Sequence, residues 1–208
     1  MATISFDALK STDIVIKTEK ALAVRGFSAE LADSGAEALE RIIALIPAGA
    51  SVMNGASRTL EQIGYIEYAK SDKHGWNNLH AAIVAEKDPA KQSALRNKAL
   101  LSEYYLGSVH ALTEEGEIVI ASNTGSQLPH LVFTTPNLIL VVSTQKIVPT
   151  LPDAFERIER HVMPLEEVNM QQKYGVGTQR NKTLILSGEN PMMGRKVHII
   201  FVNEKLGF

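Results

Sequence analysis

Apolar residues recur at helical spacing over residues 14–24, and Gly26 supplies a stop just beyond them. Residues 27–32 alternate as a short strand does. Ser34-Gly-Ala-Glu37 then reads as a capping box, in which a hydroxyl and a carboxylate satisfy free amides of a helix's first turn. Ala38, Leu39, Ile42, Ile43 and Ile46 form one apolar face of that helix, and Pro47 and Gly49 end it. Residues 50–53 form a short buried strand, and a helix is predicted over 57–66. Residues 71–87 fit no single period. Asp88 caps a further helix whose first position is Pro89, where a missing N–H costs nothing.

Residues 106–113 and 117–122, joined across Gly116, read as a hairpin. Residues 137–143 are leucine-rich and β-branched with no polar face, as a strand buried on both sides should be. Leu151-Pro-Asp153 opens a helix to about residue 162, and strands return at 183–186 and 196–202. Strands alternating with helices imply a three-layer α/β/α domain with a mostly parallel sheet and one hairpin. No repeat or linker divides the chain, so residues 1–208 are expected to form one domain, with the helical segment 1–26 packed on it.

Composition narrows the function. A net charge of −2 gives no general reason to bind nucleic acid or anionic lipid. There is no cysteine, which excludes disulfides, thiolate zinc sites, Cys-ligated iron–sulfur clusters and Cys nucleophiles together. The start of the chain lacks the pattern of a signal peptide, and no apolar run approaches the ~20 residues of a membrane helix. The expectation is a cytoplasmic protein with no membrane partner, either monomeric or homodimeric. His74, His80, His110 and His130 show no ligand spacing, so no metal site is expected, and no motif names a cofactor.

Two loops carry the candidate chemistry. Asn54, Gly55, Ser57, Arg58 and Thr59 follow one predicted strand; Asn123, Thr124, Gly125, Ser126 and Gln127 follow another. In α/β sheets ligands sit beyond the carboxyl ends of strands. Glycine and small polar residues there leave room for a ligand and offer free amides to an anion. Ser126 is the expected cap of the helix after the second loop. Lys146, just past the central strand, is the candidate counter-charge or amine nucleophile, and Glu117 at the hairpin turn is a candidate general base. A charged hairpin tip is the plainer account of Glu117. Trp76 is a candidate stacking residue, and Asp72, His74 and His80 share its segment.

Together these stretches resemble the LUD domain, the lactate-utilization family. The resemblance runs through NGASRTLEQIG at 54–64, GSVHALTEEGEIV at 107–119, SNTGS at 122–126, TQKIV at 144–148, DAFERI at 153–158 and VHIIFVNEKLGF at 197–208. It implies a fold similar to ribose-5-phosphate isomerase, glucosamine-6-phosphate deaminase and the CoA transferases, whose glycine-rich loops hold phosphates or CoA. It also implies binding of a small anionic ligand, phosphorylated, CoA-type or carboxylate, and a place in oxidising L-lactate to pyruvate. The alternative it implies is a non-catalytic accessory or assembly role beside an iron–sulfur subunit. Similar short proteins often carry several cysteines between the segment matching Pro164 and the last strand. Here residues 171–180 read QQKYGVGTQR, so a cluster role does not carry over.

Overall fold

The computed structural model describes residues 5–71 and 73–208. Its main sheet has six parallel strands: β1 (Ser28–Ala32), β2 (Ser51–Asn54), β3 (Asn77–Asn78), β4 (Tyr104–Gly107), β7 (Asn137–Ser143) and β10 (Lys196–Val202). Their order across the sheet is β1-β10-β7-β4-β2-β3. Side chains of β7 alternate between two apolar cores. Ile139 and Val141 pack toward α2 (Gly35–Leu45), α3 (Arg58–Gln62) and α4 (Tyr65–Lys70). Leu138, Leu140 and Val142 pack toward α1 (Thr12–Val24) and a second sheet. A strand apolar on both faces is buried on both, which is how residues 137–143 read in sequence.

The second sheet is mixed, in the order β8 (Ile147–Val148), β5 (Ala111–Thr113), β6 (Ile118–Ser122), β9 (Lys182–Leu186). Leu112, Ile118 and Ile120 face the main sheet. Ala111, Val119 and Ala121 face the other way, onto Ala154 of α7 (Leu151–Arg157) and Ile158. The expected hairpin is therefore the centre of a sheet of its own. Its first arm, expected as one strand over 106–113, is divided: β4 stays in the main sheet and β5 joins the second. The break is at Ser108, whose hydroxyl donates to the Val141 carbonyl at 2.7 Å and ties the turn to the neighbouring strand.

Local signals set most helix starts. The Ser34 hydroxyl accepts from the Glu37 amide at 3.2 Å, while the Glu37 carboxylate reaches the Asp33 amide at 2.7 Å, one residue before the position a strict capping box uses. Asp88 caps α6 (Pro89–Ala99), and Thr150 with Asp153 forms a full capping box on α7. The helix expected over 57–66 is two, because Gly64 at φ +81° turns the chain between α3 and α4. Beyond α7 the chain does not stop near residue 162. It passes through a π-helical turn, Ile158–Val162, into α8 (Met163–Tyr174), which Gly175 ends in the left-handed region. Residues 71–87 hold β3 and α5 (Leu79–Ala85). Trp76 is buried there, its indole N–H donating to the Ile46 carbonyl at 3.1 Å, so it packs the core. His74 stacks on it, and Asp72 lies outside the described residues.

Candidate functional site

The carboxyl ends of β2, β4 and β7 are neighbours, and their following turns meet: loop 54–59, the turn at 107–110 and the 3-10 turn Thr144–Lys146. The last turn is buried throughout. Residues 203–206 lace over it: the Ser143 hydroxyl donates to the Glu204 carbonyl, Thr144 to Asn203 Oδ1 at 2.8 Å, and Gln145 to the Leu206 carbonyl at 3.2 Å. This fastening fixes Lys146 with 3 % of its surface exposed. Its Nζ donates to Thr59 Oγ1 at 3.0 Å, Ser108 Oγ at 3.1 Å and the Val109 carbonyl at 3.1 Å. Gly207 closes over it at φ +68°; a Cβ there would come within 2.7 Å of Nζ.

The three acceptors are neutral. Arg157, fully buried, is bonded to the carbonyls of His110 and Phe6, and its Nε has no partner. Among the described residues neither cation is ion-paired. Burying a charge without a counter-ion is costly. Burial, together with the Arg157 guanidinium, accordingly pulls the Lys146 ammonium down to about 7.

A recess of about 90 Å³ opens beside Lys146, lined also by Gly55, Ser57, Arg58 and Thr59. It adjoins a chamber of about 410 Å³ that reaches Asn123, Thr124 and Ser126. Gly55, Tyr105, His110, Gln127 and Glu166 line both. The two loops thus border adjoining cavities, and Lys146 stands in the one beside the first loop, hydrogen-bonded to Thr59 and to no residue of 123–127. His110 Nδ1 accepts from the Ala121 amide at 3.1 Å, so in the neutral ring the proton sits on Nε2. Burial, with Lys146 and Arg157 nearby, lowers its pKa to about 3 and keeps the ring neutral. Tyr105 stacks on His130 at 4.4 Å between ring centroids, and its hydroxyl stands so near Gly55 that a Cβ there would come within 2.4 Å of it. Glu166, on α8, accepts from Asn169 at 3.0 Å, and burial raises its pKa. The Glu166 carboxyl can give or take a proton at the junction, and the neutral His110 ring can donate from Nε2–H; the lysine can hold an anion or, deprotonated, act as an amine.

The remaining expected residues fall as follows. Asn54 is buried at the end of β2, and Ser57 caps α3 by accepting from the Leu60 amide at 3.3 Å. Arg58 is half-exposed and paired with Glu61 at 3.0 Å. Ser126 caps no helix. Thr124 donates to its hydroxyl at 3.1 Å, and the Ser122 hydroxyl holds the Gly125 amide at 2.9 Å, so the loop is closed on itself before the π-helical turn His130–Thr134. Glu117 stands at the opposite end of β6 from Ser122, bonded to Thr113 and 3.8 Å from Arg25, and lines neither cavity. A hairpin turn lies a strand's length from that strand's far end, which separates Glu117 from the second loop. Tyr105 and Glu166 carried no sequence signal: both fall outside the predicted elements, one just before a strand and the other beyond a helix end.

Parallel strands whose carboxyl ends frame a polar cleft with a buried lysine at its floor define an α/β protein with a strand-end cleft. The chain belongs to the LUD domain family, whose model matches residues 15–202, and that family is linked to lactate utilization. No curated protein matches the chain. Among solved structures it is similar to a DUF162 family protein from Deinococcus radiodurans, at 14 % identity and a TM-score of 0.57, over 94 % of this chain and 100 % of that one. At that identity the likeness speaks for the fold alone. Among the described residues no helix is long and apolar enough to cross a membrane.

Proposed function

We propose that the protein binds a small organic anion with its charged group in the recess at Lys146. The first loop, Asn54 to Thr59, forms the recess wall, and the second, Asn123 to Gln127, the outer rim. The observation that carries this reading is the pair of buried cations, Lys146 and Arg157, bonded only to neutral acceptors. A bound anion supplies the missing charge. Carboxylates come first, since the family is linked to lactate utilization; phosphate esters and CoA esters fit the same charge logic. Oxidation of lactate would also need an electron acceptor, which a partner or cofactor must provide.

The test is thermal shift of wild type and Lys146→Met against L-lactate, pyruvate, sugar phosphates and CoA esters. A ligand at a hundred times its dissociation constant stabilises the native state by ~2.7 kcal/mol, an easily read rise in melting temperature. The expected outcome is a ligand-specific rise that Lys146→Met abolishes. Because Lys146 ionises at about 7, affinity should fall as pH rises above that value. A flat panel would overturn the reading, and co-purification of an iron–sulfur subunit alongside it would favour an accessory role.

A further inference from the structure

The cleft has two compartments of unlike size and chemistry, and this bears on what kind of anion it takes. An engineered cavity of ~150 Å³ holds benzene, a six-carbon ring. Lactate and pyruvate also have six heavy atoms, so by that measure the 90 Å³ recess at Lys146 takes the carboxylate and little more. The chamber of about 410 Å³ beyond it would stay mostly empty with such a ligand. Pockets of ~300–1,000 Å³ ordinarily take much larger molecules.

The chamber's lining includes six apolar side chains: Met53, Ile83, Val84, Leu100, Met163 and Met170. Three of these are methionines, which adapt to ligands of varied outline. At the junction of the compartments stand Tyr105, His110, Gln127 and Glu166. A ligand with its carboxylate in the recess and its body in the chamber passes these hydrogen-bonding groups. They suit an oxygen on the carbon next to that carboxylate.

We infer, resting on the anion-binding reading above, that the preferred ligand is a 2-hydroxy or 2-oxo acid longer than lactate. Its carboxylate sits at Lys146, its 2-oxygen at the junction, and its hydrocarbon body against the apolar side chains of the chamber. Charge at one end and apolar surface at the other set the orientation. The recess excludes the body because it is too small.

Titration calorimetry with L-lactate, 2-hydroxybutyrate, 2-hydroxyhexanoate and 2-hydroxyoctanoate tests this. Each buried methylene should tighten binding roughly fourfold. Val84→Trp places a large side chain in the chamber from a position 57 % exposed, where folding should tolerate it. Met170→Trp does so independently from α8. Both variants should lose at least tenfold in affinity for 2-hydroxyoctanoate and keep wild-type affinity for lactate, whereas Lys146→Met should lose the whole series. Equal affinity along the series, or a gradient that survives both tryptophan variants, would overturn the inference while leaving the anion site standing. A gradient that survives Lys146→Met would show apolar binding without the anion anchor, and would overturn it too. No binding by any acid would sink the anion-binding reading itself.

Discussion

Loops 54–59 and 123–127 look alike as sequence: small polar residues around one glycine, after a strand and before a helix. The fold uses them differently. The first is built into the core, with Asn54 and Thr59 buried, Thr59 bonded to the Lys146 ammonium and Ser57 capping a helix. The second is a rim, with Thr124 and Ser126 exposed and bonded to each other, and with Gly125 at φ +84° over the flexible Lys182 side chain. What separates them is the strand each follows. β2 ends beside β4 inside a six-stranded parallel sheet, one strand in from its edge, whereas β6 ends in a smaller sheet stacked on it. Equal polarity in sequence therefore marks a buried electrostatic contact in one place and a self-closed surface turn in the other.

The largest effect that can break this comparison is the pH dependence of stability, because only the first loop touches a buried titratable group. Lys146 ionises at about 7 in the folded protein, against an ordinary value of 10.5. Between those values the unfolded chain binds more protons than the native one, so stability rises with pH across that window. Below it both states are protonated and the buried charge weighs in full. The stability of wild type relative to Lys146→Met should therefore climb between pH 7 and 10, by at most ~1.4 kcal/mol per pH unit. Urea denaturation of both proteins across that range measures it. A flat difference would show that the ammonium is not desolvated.

Next in size is the loss of one acceptor. Thr59→Val keeps the side-chain shape and leaves Lys146 with two partners, which should cost ~1–3 kcal/mol in wild type. In a Lys146→Met background the cost should shrink, and a double-mutant cycle reads the coupling directly. Thr124→Val removes only exposed bonds, to the hydroxyl and the amide of Ser126, and should stay within ~0.5 kcal/mol. If the two threonine variants behave alike, the contrast between the loops fails.

The smallest effect sharpens the comparison at the caps. Ser57→Ala removes a helix cap and should cost ~1 kcal/mol. Ser126→Ala removes no cap, so its melting temperature should stay near that of wild type. A comparable drop from both would mean that Ser126 caps the following turn after all.

Most of the scaffold was legible in the chain itself. Alternating or fully apolar runs marked β1, β7, β9 and β10, and Ser34, Asp88 and Asp153 marked helix starts, because pleat and cap both act over a few residues. Lys146 and the two loops also stood out, since strand ends followed by small polar residues are local features. The division of residues 106–113 between two sheets was not legible. It depends on Ser108 bonding to Val141, 33 residues away in the chain. The depression of Lys146 was hidden likewise: it comes from burial under residues 203–207 and from Arg157, whose position no local rule supplies. Glu166 and Tyr105 reach the cleft only because α8 folds back along it and β4 lies beside β2. Short-range sterics and hydrogen bonding wrote the elements and their ends into the sequence. Desolvation and the meeting of charges depend on what packs on what, and that only the tertiary structure decided.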